Sequence, residues 1–155
     1  MVSSVENRLA DMGIELPPAV TPFGPYVPAV QVGTLLFLSG MLPTVGHEAK
    51  FVGRLGAELN LEQVRSAARA ATLNVLAVVK AQFGSLERVS RVVRLGVYIA
   101  TAGEPTDLVK VADAASELLR DVLGEDKIPA RLVFGVARLP LNTPVELEAI
   151  VEISE

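Results

Sequence analysis

The sequence predicts an α+β fold in which one mixed sheet of five or six strands carries two main helices on one face. Two segments repeat apolar residues every three or four positions, as amphipathic helices do, and the other apolar segments are short or alternating, as strands are. Their order is strand, strand, helix, strand, helix, strand, strand, which is typical of a layered α+β protein. A length of 155 residues predicts that residues 1–155 form a single domain.

The N-terminal segment predicts a short helix followed by extended chain. Ser3 and Glu6 have capping-box spacing, so we expect a helix over about residues 4–12 that ends at Gly13. Five prolines lie between residues 16 and 28, and proline lacks the backbone donor that helices and inner strands need. This segment is therefore expected to be extended.

Two strands and an irregular stretch are predicted next. Apolar runs at 29–32 and 35–39 are separated by the turn residues Gly-Thr, which is typical of a hairpin. Glycines and prolines are then spread over 43–56, which predicts irregular chain with a short strand near Phe51.

The first main helix is predicted over 61–82. Asn60 and Gln63 have capping-box spacing, the apolar residues that follow recur every three or four positions, and Gly84 is a suitable C-terminal stop. A β-branched, alternating segment over 89–100 then predicts a strand.

The C-terminal third predicts one helix and two strands. Thr106 or Asp107 is expected to cap an amphipathic helix through about Leu123, which Gly124 ends. Strands are predicted over 131–137 and 145–153. The last strand alternates strictly, so one of its faces packs on the helices and the other meets water or a partner.

Composition excludes several function classes. The chain has no Cys and one His, which rules out disulfides, thiolate nucleophiles and multi-His metal sites. A net charge of −4 without runs of Lys or Arg argues against nucleic-acid binding. Apolar runs are far shorter than the about 20 residues of a membrane span, and residues 1–13 do not resemble a signal peptide. We therefore expect a cytoplasmic protein without a metal site.

Arg131 is the first candidate site residue. It begins an otherwise apolar strand, and its planar guanidinium suits bidentate binding of a carboxylate or phosphate. The alternative is a structural salt bridge to a Glu or Asp on a strand.

Four further residues have a functional and a structural interpretation each. Glu146 or Glu148 would orient water as a general base, or would belong to a solvated strand face. Tyr26 would offer its hydroxyl to a ligand or pack its ring at a subunit contact. Gly40 would let a ligand approach the backbone or would simply form a turn.

Other polar residues are expected to have structural or solvated roles. Arg91 and Arg94 are three positions apart in one strand, which predicts opposite faces. His47 is expected to be a solvated loop residue, available at most as an acid or base. Asp113 is expected to be solvated on its helix.

Several motifs are spread over about residues 20–153. They are Gly24-Pro25-Tyr26-Val27-Pro28-Ala29-Val30, Leu36 to Pro43 with its Ser-Gly-x-x-Pro ending, Ala70 to Leu76, Ile128-Pro129-Ala130-Arg131, Val136 to Pro140, and Val145 to Ile150. Together they resemble the Rid (YjgF) family of imine and enamine deaminases, also called the endoribonuclease L-PSP family.

The resemblance implies a chorismate-mutase-like fold and a homotrimer with sites in the clefts between subunits. It implies that Arg131 pairs with a substrate carboxylate, that Tyr26 and the backbone of Gly40 lie at the ligand, and that Glu146, rather than Glu148, holds the hydrolytic water together with a backbone carbonyl. The implied reaction converts a 2-imino or 2-enamino acid into a 2-keto acid and ammonia without a cofactor.

The chain departs from the family pattern at two positions and in the region Thr101 to Pro105. Val133 stands where active members have Cys, and Ala112 or Asp113 stands where they have a helix Asn. These departures indicate a divergent branch and keep a second hypothesis open, namely a non-catalytic module that binds a small carboxylate such as a 2-keto acid. A third hypothesis is a ribonuclease or translation inhibitor, which the acidic charge disfavours. The substrate side chain and the pathway are not predicted.

Overall fold

A computed structural model describes residues 4–104 and 107–155 and has the predicted α+β architecture. Within these described residues, three α-helices lie on one face of a five-stranded mixed sheet. The helices are α1 (Val5–Asp11), α2 (Leu61–Phe83) and α3 (Leu108–Leu123). The strands are β1 (Ala29–Val32), β2 (Leu35–Leu38), β3 (Thr44–Val45), β4 (Glu48–Ala49), β5 (Val89–Ala100), β6 (Ala130–Val136) and β7 (Val145–Ile153).

The main sheet has the strand order β1-β2-β7-β5-β6. Strands β5 and β6 pair in parallel, and α3 provides the crossover that such parallel neighbours need. Strands β3 and β4 form a separate two-stranded hairpin within the stretch that was expected to be irregular. The short strand predicted near Phe51 corresponds to β4, which ends two residues before it, and Phe51 itself belongs to no strand.

The helix boundaries follow local capping chemistry. Asn60 and Gln63 form the predicted capping box, and Gly84 ends α2 in the left-handed conformation, with φ 77°. In α1 the cap is Ser4, whose side chain accepts from the Asn7 amide. The predicted capping residues Ser3 and Thr106 lie outside the described residues. Asp107 precedes α3 without capping it through its side chain.

The core lies between the sheet and the helices. Leu147, Leu95 and Leu36 contribute fully buried side chains from three neighbouring strands. Small residues such as Ala71 and Ala115 are also fully buried, which lets α2 and α3 approach each other and the sheet closely. Burial of this apolar layer, worth about 25 cal/mol per Å², is the main stabilising contribution.

Two irregularities in β5 decide which side chains reach the open face of the sheet. The pairing of β5 with β7 shifts register between Val89 and Arg91 and again between Val92 and Arg94. The prediction that Arg91 and Arg94 point to opposite faces is therefore wrong. Both arginines are exposed and pair with residues on the open face of β7, because the bulges break the period of two.

Candidate functional site

Gly40 and Glu146 meet at the end of the open sheet face. Backbone hydrogen bonds join Met41 to Leu147 in both directions, at 2.7 and 2.9 Å, and Gly40 and Glu146 are diagonal neighbours across this antiparallel bridge. A Cβ built on Gly40 would lie 2.5 Å from Glu146 Oε1. The predicted importance of Gly40 thus has a geometric basis, since any side chain there would displace the carboxylate.

Tyr26 joins this pair in a cleft of ≈ 480 Å³. Ser39 Oγ donates to the Val27 carbonyl at 2.6 Å, which ties the tyrosine's segment to the end of β2. The Tyr26 hydroxyl accepts from the Phe23 amide at 3.0 Å, which leaves its proton available to a ligand. The cleft is lined by Phe23, Tyr26, Ser39, Gly40, Leu42, Pro140, Leu141 and Glu146. Its walls are therefore mainly apolar around one carboxylate.

The Glu146 carboxyl is electrostatically perturbed. Desolvation by burial raises its pKa above the ordinary value of 4.5, and the neighbouring charge of Glu148 raises it further. Glu148 is held apart from the cleft, because the Tyr98 hydroxyl donates to its Oε1 at 3.0 Å. A Cβ on Gly96 would lie 2.8 Å from Glu148 Cγ, so this glycine gives the Tyr98–Glu148 pair its space on the sheet.

Arg131 lies on the other face of the sheet from Glu146. It pairs in register with the buried Leu95, whereas Glu146 pairs with Tyr98 on the open face. Its Nη1 donates to Asp113 Oδ1 at 2.9 Å and to Ser116 Oγ at 3.0 Å. The structure therefore brings Tyr26, Gly40 and Glu146 together and places Arg131 elsewhere in the same chain.

The helix residues beneath Arg131 correct one prediction. Asp113 is not simply solvated, because it forms an ion pair with Arg131 in which the two side chains are 41% and 23% exposed. Ala112 is fully buried, so only Asp113 of the two positions contacts the arginine. Val133 is half-buried and packs against the core.

His47 is exposed, as predicted, but it is not without contacts. Its ring stacks on Phe23 with centroids 4.2 Å apart, and its Nε2 lies 2.9 Å from Thr21 Oγ1. It therefore supports the outer wall of the cleft through Phe23.

Sequence reasoning missed Leu141, Phe23 and Tyr98. Leu141 is 46% exposed at the cleft and has φ 58°, a left-handed conformation that costs a non-glycine residue of order 1–3 kcal/mol. No sequence pattern marks a leucine for this conformation. Phe23 immediately precedes the motif Gly24 to Val30 that contains Tyr26, so its place next to that motif was the one available signal.

The open face of the sheet is more apolar than a solvated face needs to be. Val30, Val32 and Phe134 are each more than half exposed there, and Phe37 is 41% exposed. An exposed apolar surface of this kind is typical of an interaction site.

The described residues also bear on two other features, a metal site and a membrane-spanning helix. Within residues 4–104 and 107–155, no cluster of three or more His, Asp or Glu side chains is arranged to hold a metal ion. Over the same described ranges, none of the helices combines the length and apolarity required to cross a bilayer.

A family model described as "YjgF/chorismate mutase-like, putative endoribonuclease" matches residues 6–152. Protein TCP17 of Trypanosoma cruzi is 39% identical, with 97% of this chain and 94% of that protein covered. A 2-iminobutanoate/2-iminopropanoate deaminase of Dermatophagoides farinae is 34% identical, with 90% and 94% covered.

Two solved structures are similar to this chain over most of its length. The Agrobacterium tumefaciens protein Atu1372, of unknown function, superposes with a TM-score of 0.89 at 37% identity, and 97% of this chain and 92% of that chain are covered. Escherichia coli TdcF with bound serine superposes with a TM-score of 0.61 at 25% identity, and 88% and 94% are covered.

Proposed function

Because the chain belongs to the YjgF/chorismate mutase-like family, whose members support a general role in imine deamination, we propose that it hydrolyses small 2-imino or 2-enamino acids to 2-keto acids and ammonia. The observation that carries this proposal is the close contact of Gly40 with the Glu146 carboxylate in an apolar cleft. A carboxylate with a raised pKa at a largely apolar cleft is well suited to take a proton from water.

In the proposed mechanism, the reacting atoms are an imine carbon, its nitrogen and one water. An enamine first gains a proton on carbon, or an imine gains one on nitrogen, and each becomes the protonated imine. Glu146 removes a proton from water as the water oxygen attacks the imine carbon, and a carbinolamine forms. Glu146 passes that proton to nitrogen, the C–N bond breaks, and ammonia leaves as Glu146 accepts the second water proton and the ketone forms. Tyr26 donates its hydroxyl proton to a ligand oxygen or nitrogen.

The position of Arg131 requires a second subunit in this proposal. Arg131 and Glu146 lie on opposite faces of the sheet, so one chain does not join them around a small substrate. We infer a homotrimer of single-domain chains in which Arg131 of one subunit binds the substrate carboxylate beside Glu146 of the next. The exposed apolar face of the sheet supports burial between subunits.

The test couples imine hydrolysis to an amino-acid oxidase, with semicarbazide trapping the imine that escapes. We expect the protein to lower the trapped imine, and Glu146→Gln and Arg131→Ala to abolish this effect. Glu152→Gln is the matched control, since Glu152 lies on the same strand and face but outside the cleft. Light scattering should give three times the chain mass. A monomer, or full activity in Glu146→Gln, contradicts the proposal.

A second candidate function is a non-catalytic module that binds a small carboxylate in the same clefts. The observation that favours it is the Asp113–Arg131 ion pair together with Val133, which differs from the cysteine expected of active members. This module would bind a 2-keto acid in a calorimeter and give no loss of trapped imine. The family description also names an endoribonuclease, but a net charge of −4 without runs of Lys or Arg disfavours the phosphate neutralisation on which RNA binding depends.

A further inference from the structure

The guanidinium of Arg131 is only partly occupied by its partners on α3. Asp113 and Ser116 lie three residues apart on the helix, so both reach the same nitrogen, Nη1. Within the part of the chain that the structure describes, Nε and Nη2 donate to no protein atom. The arginine thus keeps one edge with two N–H donors for a ligand.

The ion pair changes what this free edge recognises. A ligand carboxylate on Nε and Nη2 would lie a few ångström from the Asp113 carboxylate, and like charges at such distances disfavour each other. The side chain of Arg131 is 23% exposed and that of Asp113 is 41% exposed, so solvent screens this repulsion only in part. A neutral carbonyl group uses the same two donors without meeting the repulsion.

We propose that Asp113 determines specificity at the Arg131 site by neutralising the guanidinium, so that the chain accepts imines with a neutral acyl group, an amide or ester, as well as it accepts free 2-imino acids. This inference rests on the proposed function, in which Arg131 binds the substrate's acyl end. It differs from that function in the charge of the preferred ligand. Asp113 acts through Arg131 and does not touch the reacting atoms.

The test compares the binding of pyruvate and its neutral amide, pyruvamide, by calorimetry on the full chain. In the unaltered protein we expect the two dissociation constants to lie within about threefold. In Asp113→Asn, the amide oxygen still accepts from Nη1 but the charge is gone, so pyruvate should bind about tenfold more tightly, or about 1.4 kcal/mol. Pyruvamide affinity should change less than twofold.

The matched control is Glu117→Gln. Glu117 lies one turn further along α3 and pairs with Arg65 at 3.2 Å. The substitution Glu117→Gln therefore removes an equivalent negative charge from the same helix without changing the partners of Arg131. We expect it to leave the ratio of the two constants unchanged. A gain in pyruvate affinity in both variants would indicate a general charge effect and overturn the assignment to Asp113.

The remaining outcomes separate this inference from the proposed function. If Asp113→Asn binds pyruvate no more tightly, including no measurable binding by either protein, the specificity role is overturned while imine hydrolysis still stands on its own assay. If Asp113→Asn weakens both probes, Asp113 only positions Arg131, and the neutralising role is wrong. If Arg131→Ala retains pyruvate binding and imine hydrolysis, the proposed role of Arg131 itself fails.

Discussion

Substitution of Gly40 by Ala tests the geometry of the site directly. The added Cβ would lie 2.5 Å from Glu146 Oε1 and 3.0 Å from its Cδ. An ordinary contact starts near 3.4 Å, so the carboxylate must retreat by about 0.9 Å. A displacement of this size is close to the 1 Å misplacement that costs a catalytic group about 10²-fold in rate.

The same substitution should leave the fold almost unchanged. Gly40 does not have a positive φ, so alanine adopts its backbone conformation without strain. The colliding atoms belong to the far end of a flexible side chain, which moves at little cost. Replacing Gly by Ala also lowers the conformational entropy of the unfolded chain, which stabilises the folded protein by about 0.4–1 kcal/mol. The free energy of unfolding should therefore change by less than about 1 kcal/mol.

The assay is imine hydrolysis by Gly40→Ala, together with thermal unfolding of the same sample. Gly24→Ala is the matched control, because its Cβ would meet nothing nearer than 3.9 Å on Tyr26, at the same cleft. A double variant adds a second check: in a Glu146→Gln background, Gly40→Ala should cost nothing further. A folded Gly40→Ala protein with activity within twofold of the unaltered protein would refute the reasoning.

Two further predictions concern electrostatics and a buried amide. Activity should rise with pH through the raised pKa of Glu146, because the base must be ionised, and Glu148→Gln should move this acidic limb to lower pH by removing the neighbouring charge. A pH profile of kcat/KM checks this, and an unmoved limb would contradict it. Asn74 donates from a buried position to the carbonyls of Leu42 and Thr44 at 2.8 and 2.9 Å, so Asn74→Ala should destabilise the fold by about 1–3 kcal/mol. Denaturant unfolding measures this change. A loss of unfolding free energy below about 0.5 kcal/mol, which is the contribution of one weak hydrogen bond, would argue against the prediction.

The sequence determined the elements whose signals are local. The period of α2 and the capping box at Asn60 and Gln63 are set within one segment, and so is the alternation of β7. The motif positions of Tyr26, Gly40 and Glu146 also identified residues that the structure places in one cleft. Each of these signals depends on neighbours a few residues away, which is why composition and spacing reveal them.

The tertiary structure decided which distant residues meet. The bulges of β5 place Arg91 and Arg94 on one face, although their spacing predicts two faces. The contact of Gly40 with Glu146 and the pairing of Arg131 with Asp113 depend on register and on helix packing against the sheet. Neither has a periodic signal in the chain, because strand pairing and packing join segments whose separation the sequence leaves open.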